Sequence, residues 1–232
     1  MGVRMMLVGV GVVVGALFAS APAAAPGDDA WASTFAVDRA DLGPSGRNPY
    51  FVLVPGHRVR LVDAADEVEV IITVLDATEI VDGVTTRVVE ERETAHGSLV
   101  EVSRNFFAVD RRTNDVYYFG EDVDLYTDGA ITGHDGAWRS GVDGARFGLL
   151  MPAGPRVGQK HYQEIAPDVA MDRAEVVDLA ATLETPLHPF TYVVHVRETS
   201  PLERGASLKW YAPGIGLIGD GGARVAEVTV AP

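Results

Sequence analysis

Between residues 68 and 75 the chain alternates. Val68, Val70, Ile72 and Val74 stand on one side, and Glu69, Ile71, Thr73 and Leu75 on the other. A two-residue period sends neighbouring side chains to opposite faces of an extended strand, so this run is a strand with one wholly apolar face. The same period recurs along the chain, and no stretch of ten or more residues shows capped 3.6-residue spacing. Asp82-Gly83 and His96-Gly97 are turn signals, since Gly accepts the positive φ that tight hairpins need. Residues 84–92 then read as a return strand, 98–102 with 105–109 as one bent strand, and 116–119 as an aromatic strand. Asp128-Gly129, Asp135-Gly136 and Asp143-Gly144 continue the punctuation, and further strands are expected over 173–183, 190–198, 206–211, 216–218 and 223–230. Strands at this spacing predict an all-β fold with little helix: an antiparallel meander forming a barrel or a strongly curved sheet. A short helix is expected near 167–171.

The ends divide the chain into three parts. Arg4 is the only charge before Asp28, and an apolar run of about fifteen residues follows it, ending in Ala19-Ser20-Ala21 and Ala23-Ala24-Ala25. A basic start, an apolar stretch of that length and small-x-small sites describe a secretory signal peptide, here residues 1–25. The run is short for a spanning helix, which needs about 20 residues. Residues 26–46 are small and polar and read as a flexible linker, which leaves 47–232 as a single β domain. The mature chain is then expected to be soluble outside the cytoplasm, secreted or in the cell envelope, with no stable membrane span after signal cleavage.

Composition removes several functions. With no cysteine there is no disulfide, thiolate zinc site, iron–sulfur cluster, cysteine nucleophile or lipidation site. A formal charge of −14 argues against nucleic acid as a partner. No Gly-x-Ser-x-Gly elbow is present, and Gly214-Ile215-Gly216 lacks the third glycine and following helix of a dinucleotide fingerprint. Ser140 reads as a turn residue. The six histidines (His57, His96, His134, His161, His188 and His195) fall in no metal-ligand spacing, and His195 is expected to face solvent. No metal or other cofactor is expected.

Two sets of acids remain. Asp122 and Asp124 belong to an acidic stretch where calcium is conceivable in an exported protein, although no Asp-x-Asp-x-Asp-Gly pattern is present. Turn-building by Asp and Asn side chains explains such clusters equally well. Glu121 and Glu164 are the acids that sit among aromatic residues and resemble turn residues least, so they are the candidates for a catalytic carboxylate pair. Tyr117, Tyr118, Tyr162, Trp210 and Tyr211 are the candidate ligand-binding aromatics, and each would serve a β core as well.

Asn48-Pro49-Tyr50-Phe51 followed by Pro55-Gly56, the run Tyr117-Tyr118-Phe119-Gly120-Glu121-Asp122-Val123, and Trp210-Tyr211-Ala212-Pro213-Gly214-Ile215-Gly216-Leu217-Ile218 form a combination. Together they resemble a family of uncharacterised exported bacterial β-proteins of unknown function. That resemblance implies an exported β domain and lends no catalytic residue. The motifs also have a physical reading. Tyr50 and Phe51 would anchor the first strand, and Pro55-Gly56 and Pro213-Gly214 fit type II turns. Gly216 would sit where a side chain collides with a neighbour.

The resulting expectation is a non-catalytic extracytoplasmic binding module for an apolar or amphipathic ligand or an envelope component. The alternative is a carboxylate-dependent glycan hydrolase.

Overall fold

The computed structural model describes residues 31–230, so the expected signal peptide lies outside the described residues. The strands are β1 (Leu42–Gly43), β2 (Arg58–Asp63), β3 (Val68–Val81), β4 (Val84–Ala95), β5 (Ser98–Asp110), β6 (Val116–Thr127), β7 (Ala130–Gly133) and β8 (Trp138–Arg139). They continue with β9 (Arg146–Met151), β10 (Lys160–Tyr162), β11 (Glu164–Ile165), β12 (Arg173–Leu183), β13 (Phe190–Thr199), β14 (Ser207–Ala212), β15 (Gly216–Asp220) and β16 (Ala223–Thr229). A single 3-10 turn, Arg39–Asp41, is the helical structure among the described residues. Residues 167–171, expected as a helix, instead form a turn closed by an Ala166–Ala170 bridge.

All strands join one antiparallel sheet in the order β10-β12-β13-β14-β15-β16-β2-β3-β4-β5-β6-β9-β11, with β1, β7 and β8 attached beside β5 and β6. The two ends of that path are consecutive in the chain. β10 pairs with β12, β11 pairs with β9, and only Gln163 separates β10 from β11. One six-residue segment therefore joins the first edge of the sheet to the last, which makes the curved meander a nearly closed barrel. This removes the exposed edges that open sheets must otherwise protect.

Turn chemistry sets the register of the hairpins. Asp82-Gly83, His96-Gly97 and Asp128-Gly129 all have positive φ at both positions, 51° and 76°, 50° and 77°, and 52° and 78°. That is the two-residue turn whose twist matches the flanking strands. Gly56 (φ 85°) and Gly214 (φ 75°) occupy the third position of turns closed by His57 N–H to Val54 O and Ile215 N–H to Ala212 O, as type II turns require. A register shift in β3 between Val74 and Thr78 bulges the strand. The buried Arg87 fastens it by donating to the carbonyls of Leu75, Asp76 and Ala77 at 3.3, 3.0 and 3.4 Å.

Alternation builds two apolar clusters. The larger fills the barrel, with Leu61, Val70, Val74, Phe107, Tyr118, Val193, Tyr211 and Ile218 among its members. The smaller lies outside the wall, where Phe106, Tyr117, Phe119 and Leu149 are covered by Phe35 and Val37. Residues 31–43, assigned by composition to the linker, thus run along the barrel. Ala32 exchanges backbone bonds with β10, donating to Lys160 O at 3.1 Å and accepting from Tyr162 N–H at 2.9 Å. At the far end of this segment β1 pairs with β5. Phe35, Val37 and Leu42 are too few and too widely spaced to produce a period, yet they suffice to cover an apolar patch. Phe51 enters the core from the irregular stretch before β2 rather than from a strand, with Tyr50 packed beside it.

Candidate ligand-binding site

The barrel interior is apolar at one level and acidic at another. On β4 the inward positions run Val89, Glu91, Glu93, and they face Asn105, Ser103 and Glu101 of β5. Asn105 in turn faces Glu121 of β6. Across the barrel stand Glu198 on β13, Lys209 on β14 and Asp220 on β15, and the closing segment brings Glu164 with Asp172 just beyond it. These eight carboxyls are all at most 5% exposed.

The Lys209 ammonium is set among them. Lys209 Nζ lies 3.0 Å from Glu198 and 3.3 Å from Asp220. Burial pulls the Lys209 pKa down, but Asp220 and Glu198 outweigh it and hold the pKa well above the usual lysine value. Gln163 donates to Glu198 at 2.8 Å, tying the closing segment to this cluster. The strongly buried Arg87 is committed to backbone carbonyls. Glu91, Glu164, Asp172 and Glu198 therefore lie in a field short of positive charge, and burial first, neighbouring carboxylates second, push their pKa values up, although Lys209 partly offsets the rise for Glu91, Asp172 and Glu198. Asp172 is raised to about 7. Neither carboxyl oxygen of Glu164 meets a well-aligned hydrogen-bond donor; Asp172, Glu121 and Glu198 raise its pKa further, and the Asp172 backbone N–H nearby offsets part of the rise. His161, inside the same segment, is pushed down to about 4 by burial.

Glu121 is also among the residues that line a pocket of about 260 Å³ between β8 and the turn after β11, with Trp138, Val142 and Ala145 on one wall and Ala166, Pro167 and Val169 on the other. Asp122, Asp143 and Arg139 complete the rim. Arg139 is occupied there, donating to both oxygens of Asp122 at 2.9 and 2.7 Å and lying 4.5 Å over the Phe106 ring. The Trp138 indole N–H, in a side chain almost wholly buried, has no acceptor. Val142 and Val169 are respectively 51% and 42% exposed, so two apolar side chains stand at the mouth beside the charged rim. Gly120 (φ 138°) allows β8 to approach, because a Cβ there would stand 2.3 Å from Trp138 O.

The expected site residues fall in different places. Glu121 and Glu164 come near enough to interact, but the pocket is lined by Glu121 and not by Glu164. Tyr118 points inward, its hydroxyl 2.6 Å from Asn105 Oδ1 and within reach of Glu121. Tyr117 faces the outer cluster, its hydroxyl pKa raised to about 12 by burial. Tyr162 stacks under Arg173 near Trp31. Trp210 is outward and occupied, with His195 stacked 4.7 Å from it and Arg224 4.8 Å over it. His195 is therefore packed on a ring, where solvent exposure was expected, because the next strand places Trp210 directly opposite. Tyr211 is the inward ring of that pair and is fully buried. Asp122 and Asp124 are ion-paired, the former to Arg139 and the latter to Arg104 and His134. Among the described residues no group of three or more acids or histidines is arranged to hold a metal ion. Ser140 does more than turn the chain: it donates to Asp82 at 2.9 Å and accepts from Phe147 N–H at 3.1 Å.

Sequence reasoning missed Glu91, Glu93, Glu101, Asp172, Glu198, Lys209 and Asp220. A signal was present in β4, where Glu90, Glu91, Arg92 and Glu93 follow one another. In a strand both faces of such a run are charged, so in a closed barrel one set must be enclosed.

No family model matches this chain, and no curated protein matches it. Among solved structures, one from Parabacteroides distasonis, described as a "putative lipoprotein", is similar at a TM-score of 0.38 and 13% identity, over 80% of this chain and 100% of that one. A TM-score of that size falls short of a shared fold. No helix among the described residues is long and apolar enough to cross a membrane.

Proposed function

We propose that this chain is an exported, non-catalytic binding module that takes a small amphipathic ligand in the pocket between β8 and the 166–169 turn. The observation that carries this reading is the pocket itself, with apolar side chains on both walls, a charged rim, the buried Glu121 in its lining, and Trp138, whose indole N–H has no acceptor, on one wall. Ligand sites combine apolar lining with a few placed polar groups in this way. At about 260 Å³ the pocket suits a small ligand. Export rests on the composition of residues 1–25 and agrees with the resemblance to exported bacterial β-proteins. Hydrolysis of glycans is supported less, because Glu164, the acid whose raised pKa would suit proton donation, lies behind the pocket rather than in it.

Tryptophan fluorescence titrated with octan-1-ol tests the reading. Saturable binding is expected, and Val169→Trp, which crowds the mouth, should abolish it. Absence of saturable binding, or binding unchanged by Val169→Trp, would reject the pocket as the site.

A further inference from the structure

The chain carries a formal charge of −14, yet one stretch of its outer wall is basic. In β12 Ala174 and Val176 face the core, so Arg173 and Glu175 face out; in β13 Val196 faces the core and Arg197 out. The ladder sets Lys160 of β10, Glu175, Arg197 and Leu208 of β14 side by side in one row, with Tyr162 and Arg173 in the next. Lys160 and Arg197 share the carboxylate of Glu175, the first at 3.5 Å. Arg156 stands exposed in the turn that leads into β10, and Gly158 N–H, donating to Val176 O at 2.8 Å, holds that turn beside β12. Trp31 lies across these cations, its ring 5.4 Å from Lys160 Nζ and 4.8 Å from the Arg173 guanidinium. At the Arg173 end the loop after β13 adds Glu203, which acts on Asp172, and the exposed Arg204. Basic side chains thus outnumber the two carboxylates, Glu175 and Glu203. Apolar side chains stand out among them: Val157, at the tip of the turn, is 62% exposed and Leu208 39%. We propose that this face docks the protein peripherally on an anionic phospholipid surface, with Arg156, Lys160 and Arg197 at the phosphates and Val157, Leu208 and the Trp31 indole among the head groups.

The occupant follows from the two kinds of side chain that the face combines. Positive charge on an acidic protein selects an anionic partner and turns this face toward it. Screening over about 8 Å at physiological salt keeps the acids on the rest of the wall from cancelling that attraction. A polyanion in solution would satisfy the cations and leave Val157 and Leu208 in water. A lipid interface takes both, since binding there rises with apolar area as well as with charge. Lys and Arg side chains lay their stems along apolar surface while their heads reach phosphate, and an indole suits the boundary between the two. The face shares no residue with the pocket between β8 and the 166–169 turn, so the two readings stand or fall separately.

Co-sedimentation of the chain lacking residues 1–25 with vesicles of phosphatidylcholine, and with an equal mixture of phosphatidylcholine and phosphatidylglycerol, forms the test. The mixed vesicles are expected to bind about tenfold or more tightly, and binding should weaken as salt is raised. Arg156→Glu combined with Arg197→Gln should bring the mixed vesicles down to the level of phosphatidylcholine. Arg156→Glu alone, in a turn outside the ladder, should weaken binding while leaving the urea melt and octan-1-ol binding unchanged. Val157→Asp should weaken it as well, and Arg92→Gln on β4, across the barrel from β12 and β13, should leave it intact. Equal binding to the two kinds of vesicle, or a preference for phosphatidylglycerol that survives both Arg156→Glu and the double variant, would overturn the proposal. Dextran sulfate bound in solution as tightly as the mixed vesicles, with Val157→Asp without effect on either, would make the face a polyanion site and overturn the lipid assignment.

Discussion

Asp172 provides a pH-dependent stability that can be worked through with its sign. Its pKa is raised from 3.8 to about 7 by burial, with repulsion from Glu198 adding and Lys209 offsetting. Below pH 4 the folded and unfolded chains both hold the proton, and the group makes no difference to folding. Between pH 4 and 7 the folded protein holds a proton that the unfolded chain has released. Each unit of rising pH then removes about 1.4 kcal/mol of stability. The full loss is about 4 kcal/mol by pH 7, present as stability at pH 4 and gone above the folded pKa. Glu91, Glu164 and Glu198 push in the same direction. Asp82 and Glu175, lowered in pKa, push the other way, but they are more exposed and their ion pairs contribute little. Urea melts at pH 4, 5.5, 7 and 8 should show stability falling across the series. Asp172→Asn, which cannot ionise, should match the wild type near pH 4 and exceed it by up to about 4 kcal/mol at pH 8. Stability that rises from pH 4 to 7, or a pH slope unchanged in Asp172→Asn, would refute the claim that these carboxyls are enclosed.

Other outcomes follow from the wall. Tyr211→Ala should cost about 3–5 kcal/mol in a urea melt as a core truncation, and Trp210→Ala clearly less, because only the first ring is fully enclosed. Gly214→Ala and Gly216→Ala should each cost roughly 1 kcal/mol, since their φ values of 75° and 96° disfavour a β-carbon. At Gly216 the cause is conformation rather than collision, the nearest atom to a Cβ being 3.7 Å away. Phe35→Ala should expose the outer cluster that residues 31–43 cover, raising dye binding and proteolysis near residue 35 while leaving pocket binding intact.

How far the sequence could be read depended on whether a feature is local. The hairpins were legible because Asp-Gly and His-Gly demand positive φ at fixed places, and strand β12 runs over the predicted 173–183. Closure was not legible, because β10 and β11 have three and two residues and carry no period of their own. Their partners are chosen by the curvature of the whole sheet. The same holds for the helix expected at 167–171, where Ala166 and Ala170 bridge instead. Glu121 and Glu164 stood out by their aromatic neighbours, but their acidic surroundings come from strands up to a hundred residues away in sequence. Glu198 and Asp220 look like ordinary strand-end acids until β13, β14 and β15 bring them to Lys209. Tyr117 and Tyr118 are adjacent and alternate across the wall, so which ring faced inward depended on register alone.

Carboxyl carbon NMR on protein labelled at Asp and Glu, titrated from pH 4 to 9, tests most directly that the barrel encloses its acids. The Asp172 carbon should keep the shift of a protonated acid through pH 6 and change with a midpoint near 7. Asp172→Asn should remove this transition and no other. An Asp172 midpoint near 4, the value of an exposed carboxyl, would contradict it.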